Sequence, residues 1–278
     1  MVSGIAFPFI IEYNLIEPFK TNAKNIRELR GILKEFLKNS KDKESVYNKL
    51  INEYGIEEHL ALDDIISLLL AGHDTTSHAI VSAVYFLKKY PEISKKLKTS
   101  LKDSGFSKDS DFENEGTKEI LNNLDYLSFV AKETLRIDPP AFASITYTPS
   151  EEISICGVNI KKGQQIQIGI LALHYHQLYW QEPMKFIPER FDPESDYYYK
   201  PGNKKETRDP TCFIPFSYGM RKCPGQILAM MELKVLIAKF ILSVDYDIDQ
   251  QQLENEYARF AMLSNFKLKL KFNKKVSE

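Results

Sequence analysis

The stretch Phe216-Ser217-Tyr218-Gly219-Met220-Arg221-Lys222-Cys223-Pro224-Gly225 brings one thiol, two glycines and an arginine together. A cysteine sulfur binds a metal as the thiolate. An apolar helical run, Ile227 to Leu242, follows it. The N-terminus of that helix offers free backbone N–H groups and positive partial charge to the sulfur. Gly219 allows a tight turn and Gly225 a close approach of the backbone. Arg221 supplies a fixed positive charge for an anionic cofactor group. A buried loop cysteine is the commoner fate of a lone Cys. Spacing this detailed favours a ligand loop.

Two further constellations have polar residues where packing alone would not put them. Ala71-Gly72-His73-Asp74-Thr75-Thr76 interrupts a long apolar run. A glycine, an acid and two hydroxyls are locally unfavourable in such a helix. Threonine hydroxyls compete for backbone carbonyls and bend helices. The segment is either a kink with satisfied polar groups or a proton-delivery pair beside a reacting centre. Glu133 and Arg136 lie three apart on one helical face. As an exposed pair they would contribute little.

The cysteine stretch resembles the haem-binding loop of cytochrome P-450 enzymes. That resemblance implies Cys223 as the proximal thiolate on haem iron, with Phe216 packed against the loop. Arg221 then pairs with a haem propionate. Residues 71–76 match the family's A-G-x-D-T-T segment. The match implies that Thr75 orients dioxygen and its protons, that Asp74 relays protons from solvent, and that Ala71 and Gly72 leave room over the haem. Pro188-Glu189-Arg190-Phe191 resembles the family's P-E-R-F segment, which implies a buried network of Glu133, Arg136 and Arg190. One carboxylate between two guanidinium groups can be fully hydrogen-bonded, as buried charges require. The resemblance implies that its role is to hold the core under the haem loop.

The implied cofactor is haem b, and the implied reaction inserts one oxygen atom from O2 into a lipophilic organic substrate. Electrons would come from NADPH through a reductase. Thiolate donation favours O–O cleavage. Two alternatives stay open: a member that rearranges peroxides, and a truncated haem-binding remnant without turnover. The intact Asp74-Thr75 pair disfavours the first. An endoplasmic reticulum membrane, cytosolic face, is implied only by resemblance. With no anchor in this chain, an intracellular place is the safer expectation.

The pattern also departs from the family in places. Ser217 replaces a glycine often found second in the loop. Pro224 removes one backbone N–H after the cysteine. Tyr147 stands where many members have a propionate-binding arginine. The resemblance covers about Glu57 to Phe272, which makes the chain look like a partial gene product. Residues 1–278 are expected to form a single partial domain, with N-terminal helices in 1–56 and a haem-binding core in 57–275.

The elements that must position these residues are expected to be mainly helical, with a small β region. Apolar residues recur at helical spacing from Ile26 to Leu37 and from Val46 to Tyr54. The run from Glu57 to Tyr90 is apolar enough to predict a helix buried through the middle of the domain. Pro91 marks its end, and a charged helix from Glu92 to Leu101 follows. Residues 103–119 read as a solvated loop. Leu121 to Leu135 predict one helix that stops before Pro139-Pro140. Ile153, Ile155, Val158, Ile160, Ile166 and Ile168 lie in short strand-like runs, and residues 192–212 are loop-like. The tail from Phe266 to Phe272 alternates as a half-buried strand with a solvated lysine edge. His174 and His176 form an H-x-H whose place in a family-like segment disfavours metal ligation.

The chain has 278 residues, 43% hydrophobic content and a net charge of −1. That balance gives no support to nucleic-acid binding. Three cysteines, Cys156, Cys212 and Cys223, without a C-x-x-C pair argue against a disulfide framework or a zinc site. No apolar window reaches about 18 residues, so no membrane-spanning helix is expected. The run Ile5 to Ile11 lacks the marks of a signal peptide.

Overall fold

In a computed structural model of the chain, residues 19–39, 44–254 and 268–273 are described. The run Ile5 to Ile11, and Phe266 and Lys267 of the tail, lie outside them. The fold is mainly helical, with three two-stranded antiparallel sheets among the described residues. The chain divides into two compact units, 1–73 and 74–278.

The first unit holds helices α1 (Phe19–Asn39) and α2 (Val46–Asn52), and the N-terminal part of α3 (Glu58–Lys89). Ser45 caps α2 by accepting from the Asn48 N–H. Gly55, at φ 65°, lets the chain turn back after this helix. Tyr47, Ala61 and Leu62 form a small core, with Leu33, Leu37, Leu50, Ile51, Ile56 and Ile65 against it. Arg30 clamps Asp63 through two hydrogen bonds of 2.7 Å.

Helix α3 runs unbroken through Ala71–Thr76. The polar residues neither end it nor replace a turn of it. The expectation of burial along its length is corrected. Ala61, Leu62 and Ile66 are buried, as are Ala79 and every residue from Ser82 to Leu87. Between them Leu68, Leu69, Leu70, Ala71, Gly72, His73 and Asp74 are exposed. Apolar density alone does not distinguish a core face from a face reserved for another group.

The second unit begins with the rest of α3. Pro91 opens α4 (Pro91–Asp103) at its first turn, where its missing N–H costs nothing. Residues 103–119 are not all loop. Asn114 accepts from the Gly116 and Thr117 N–H groups and so starts α5 (Glu115–Asn122). The helix expected over 121–135 is thus two. Asn123 ends α5, and α6 (Asp125–Ile137) begins after Leu124. The Asn114 side chain caps the start of α5, whereas at Asn123 only the backbone N–H bonds back, to the Glu119, Ile120 and Leu121 carbonyls.

The strands are shorter than the sequence pattern. β1 (Ile153–Ile155) pairs with β2 (Val158–Ile160) across a turn of Cys156 and Gly157, both with positive φ. Ile166 makes only an isolated bridge to Tyr147, and Ile168 lies in no strand. After α7 (Ile170–His174) come β3 (Tyr199–Lys200) and β4 (Asn203–Thr207), a hairpin in the region expected to be loop. Helix α8 (Gln226–Ser243) is followed by β5 (Tyr246–Ile248), α9 (Gln250–Glu254) and β6 (Leu270–Phe272), with β5 and β6 paired. Leu270 is half-buried and Lys271 is exposed, as the alternation requires, but Phe272 is exposed too.

The larger core lies among α3, α4, α6 and α8, with Val84, Phe86, Leu97, Leu127, Val130, Leu233 and Ile237 at its centre. Phe86 stacks on Phe186 at 4.7 Å. Helix α8 is less cleanly amphipathic than its sequence reads. Ile227 and Leu228 are exposed, while Lys234 is buried and donates to the Asn122 carbonyl at 2.9 Å.

Candidate functional site

Helix α6 carries the buried charge network. Glu133 and Arg136 point the same way because a three-residue step nearly completes a helical turn. Both side chains are wholly buried. Arg136 donates from Nε to Glu133 Oε2 at 2.7 Å and from Nη2 to Oε1 at 2.8 Å. Arg190, in the single helical turn Pro188–Phe191, donates from Nε to Glu133 Oε1 at 3.2 Å. The Ile187 N–H donates to the same oxygen at 2.9 Å. The carboxylate thus accepts four hydrogen bonds.

The guanidinium groups spend their remaining donors on carbonyls. Arg136 reaches His174 at 2.9 Å, Pro183 at 2.8 Å and Lys185 at 3.1 Å. Arg190 reaches Gln181, and Glu182 at 2.7 Å. The His174 carbonyl ends α7, and the other four belong to the irregular segment between α7 and β3, which has no ladder of its own to satisfy them. Burial pulls the Arg190 guanidinium down to about 10, with Glu133 opposing. It remains charged at neutral pH.

Sequence reasoning missed a third arginine here. Arg208 donates to the carbonyls of Tyr197 and Arg190 and lies 4.3 Å from the Trp180 ring centroid. Burial lowers its pKa. No spacing rule links Arg208 to α6. It joins the group only through the path of the chain between them.

The cysteine loop follows this network. The Cys223 N–H donates to the Phe216 carbonyl at 2.8 Å, which closes the loop. The Ser217 N–H donates to Ile214, and the Lys222 N–H to Gly219. Ser217 has φ 65° and Gly219 φ 76°. Gly219 thus serves the tight turn expected of it, and Ser217 adopts a conformation that favours glycine. Phe216 is half-buried against the larger core. Gly225 stands before α8 at φ −83°, open to any residue. A Cβ built there would meet only the Cys223 sulfur, at 3.8 Å. That distance is an ordinary van der Waals contact.

The residues present fit a flat, largely apolar, anionic cofactor held through sulfur. Cys223 is exposed and two residues before the N-cap of α8. Tyr218, Met220, Ile227 and Leu228 flank it in sequence with exposed apolar surface. Arg221 is exposed and makes no ion pair among the described residues. Tyr147 is half-buried and carries the bridge to Ile166.

On α3, Asp74 is exposed and Thr75 half-buried, both in the second unit. Ala71 and Gly72 belong to the first unit. Direct contacts join Glu133, Arg136 and Arg190, and a backbone bond joins Phe216 to Cys223. One turn after Thr75, His78 Nε2 lies 3.3 Å from Asp138 Oδ2, and that oxygen also accepts from Ser82 Oγ at 2.5 Å. This buried cluster gave no signal in the sequence.

Among the described residues, no helix is long and apolar enough to cross a membrane.

A sequence profile described as Cytochrome P450 matches residues 11–272. Cytochrome P450 3A31 of Mesocricetus auratus is 31% identical over 216 residues, which is 74% of this chain and 40% of that protein. Cytochrome P450 3A9 of Rattus norvegicus is 30% identical over 239 residues, 84% of this chain and 44% of that protein. Cytochrome P450 4V2 of Homo sapiens is 36% identical over 178 residues, 63% of this chain and 31% of that protein. The chain spans less than half the length of each of these relatives. A family match over nearly all its residues means that the chain belongs to the cytochrome P450 family.

Proposed function

We propose that this chain holds haem b through Cys223 and takes part in a monooxygenase reaction on a lipophilic organic substrate. The observation that carries this reading is the exposed Cys223 thiol before the N-terminus of α8, with the exposed Arg221, which has no ion pair among the described residues, two residues away. When bound, haem supplies the activation of O2 and the transfer of one oxygen atom to substrate.

The protein's own residues supply binding, charge and protons. Cys223 ligates as the thiolate, favoured by the N-terminal end of α8. Pro224 offers the sulfur no N–H, which leaves it more electron-donating. Arg221 pairs with a carboxylate of the cofactor. Phe216 packs behind the loop, Gly219 forms its turn and Gly225 stands beside the sulfur. On α3, Ala71 and Gly72 present little side-chain bulk. The exposed Asp74 carboxylate takes up protons from solvent. The half-buried Thr75 hydroxyl donates a hydrogen bond on the substrate side. Glu133, Arg136 and Arg190 hold the core beneath the loop. Residues 57–275 are assigned as the haem-binding core and 1–56 as the helices before it. Electrons come from NADPH through a reductase partner, at the cytosolic face of the endoplasmic reticulum.

The reduced, CO-bound protein tests this reading. A strongly red-shifted Soret band, the mark of thiolate-ligated haem, is expected, and Cys223→Ala is expected to abolish it. Retention of the band in that variant would refute the ligand. Absence of haem uptake by the wild-type chain would sink the cofactor assignment.

A further inference from the structure

We propose that His174 is the positioning residue of the cysteine loop, tying it to the buried Glu133–Arg136 pair on α6. The inference rests on Cys223 as the thiolate ligand. His174 is wholly buried at the C-terminal end of α7. Its ring bonds in opposite directions. Nδ1 lies 3.1 Å from the Arg136 carbonyl oxygen, and Nε2 lies 3.1 Å from the Ile214 nitrogen. A carbonyl oxygen only accepts, and a backbone N–H only donates. Nδ1 must carry the proton and Nε2 must be bare. The imidazole is neutral and in one tautomer, fixed by its partners.

The connections continue on both sides of the ring. The His174 carbonyl accepts from Arg136 Nη1 at 2.9 Å, so the two residues clasp each other twice. Beyond the ring, the Ile214 carbonyl accepts from the Ser217 N–H at 2.9 Å. The Phe216 carbonyl accepts from the Cys223 N–H at 2.8 Å. Hydrogen bonds thus lead from the Glu133 carboxylate through Arg136 and His174 to Ile214, where the loop begins. Phe213 packs against the ring at 5.3 Å. Burial first, and Arg136 second, hold the imidazole at about 3, so the bare Nε2 persists through neutral pH. Ile214 is itself buried. Its N–H would lose its acceptor if the ring were protonated or removed, and an unpaired buried donor is costly.

The test compares the haem-loaded wild type with His174→Asn and His174→Gln. Gln is long enough to place an amide oxygen where Nε2 sits and to accept from Ile214. Asn keeps a donor toward Arg136 and cannot reach Ile214. Backbone hydrogen exchange over residues 212–224 and the thiolate Soret band are read together. In His174→Asn the loop is expected to exchange about tenfold faster, the equivalent of one lost hydrogen bond. Helix α4 should be unchanged and part of the thiolate band lost. In His174→Gln both readouts are expected near wild type. If Asn does not fold, wild-type loop exchange in Gln supports the proposal. A loosened loop in Gln, an unchanged loop in a folded Asn variant, or unfolding of both variants would overturn it. A wild type without the thiolate band would sink the ligand assignment, and loop exchange would still decide whether His174 holds Ile214.

Discussion

Glu133 and Arg136, one helical turn apart on α6, face each other with no exposed side-chain surface and two hydrogen bonds of 2.7 and 2.8 Å between them. Burial makes this pair costly to break, whereas the same spacing on a surface would contribute little. The attraction is not a net gain over an apolar pair of the same volume. The dependence of five surrounding carbonyls on Arg136 and Arg190 is what ties the pair to the fold.

Glu133→Ala is expected to cost about 3–5 kcal/mol, because it leaves buried guanidinium groups without their carboxylate. Urea unfolding measures this. A loss below about 1 kcal/mol, the range of an exposed pair, would show that the network is not a structural support.

His174 gives stability a pH dependence of known sign. Its folded pKa lies below the ordinary 6.5, at about 3. The unfolded chain therefore binds the extra proton first. Its contribution is complete above the ordinary value and is lost as pH falls from there toward about 3. The slope from this one group is at most about 1.4 kcal/mol per pH unit. Denaturation midpoints across that window should fall more steeply in the wild type than in His174→Gln. Parallel slopes would remove His174 as the source.

Ser217 holds a left-handed conformation at φ 65°. Such a conformation costs a residue with a Cβ roughly 1–2 kcal/mol. Glycine there also loses more backbone freedom on folding, which takes back part of the difference. Ser217→Gly is expected to stabilise the protein by about 0.5–1 kcal/mol. Thermal unfolding reads the gain. A lower midpoint would mean that the serine side chain makes a larger contribution than its backbone strain removes.

The parts of the fold that local chemistry decides were readable in the residues. Pro91 divides α3 from α4, and the Glu133–Arg136 spacing marks one face of α6. Where two local signals competed, the apolar period misled. The Asn114 cap cut a helix out of an expected loop, and that helix ends at Asn123, inside the run expected to be one helix. Burial was readable only in part, because the apolar count cannot tell exposed Leu70 from buried Leu87 on the same helix. In the site, Cys223, Gly219 and Arg221 stand close in sequence and could be named together. His174, Arg208 and Asp138 could not, since each takes its meaning from partners far away in the chain. In the sequence His174 stands out only as half of an H-x-H in a family-like segment. Its bond to Ile214 spans forty residues of sequence.

Trp180 gives the molecule an optical reporter. It is the only tryptophan in the chain, and it is buried. Its Nε1 donates to the Leu173 carbonyl at 3.1 Å, next to His174. Arg208 and Arg136 lie over its ring at 4.3 and 5.2 Å. Intrinsic emission excited at this indole therefore comes from one place, the arginine-lined segment that His174 joins to Ile214. A red shift in that emission marks water reaching the segment, and circular dichroism follows the helices separately. The order in which the two signals change shows whether the support of the loop opens before the helical core.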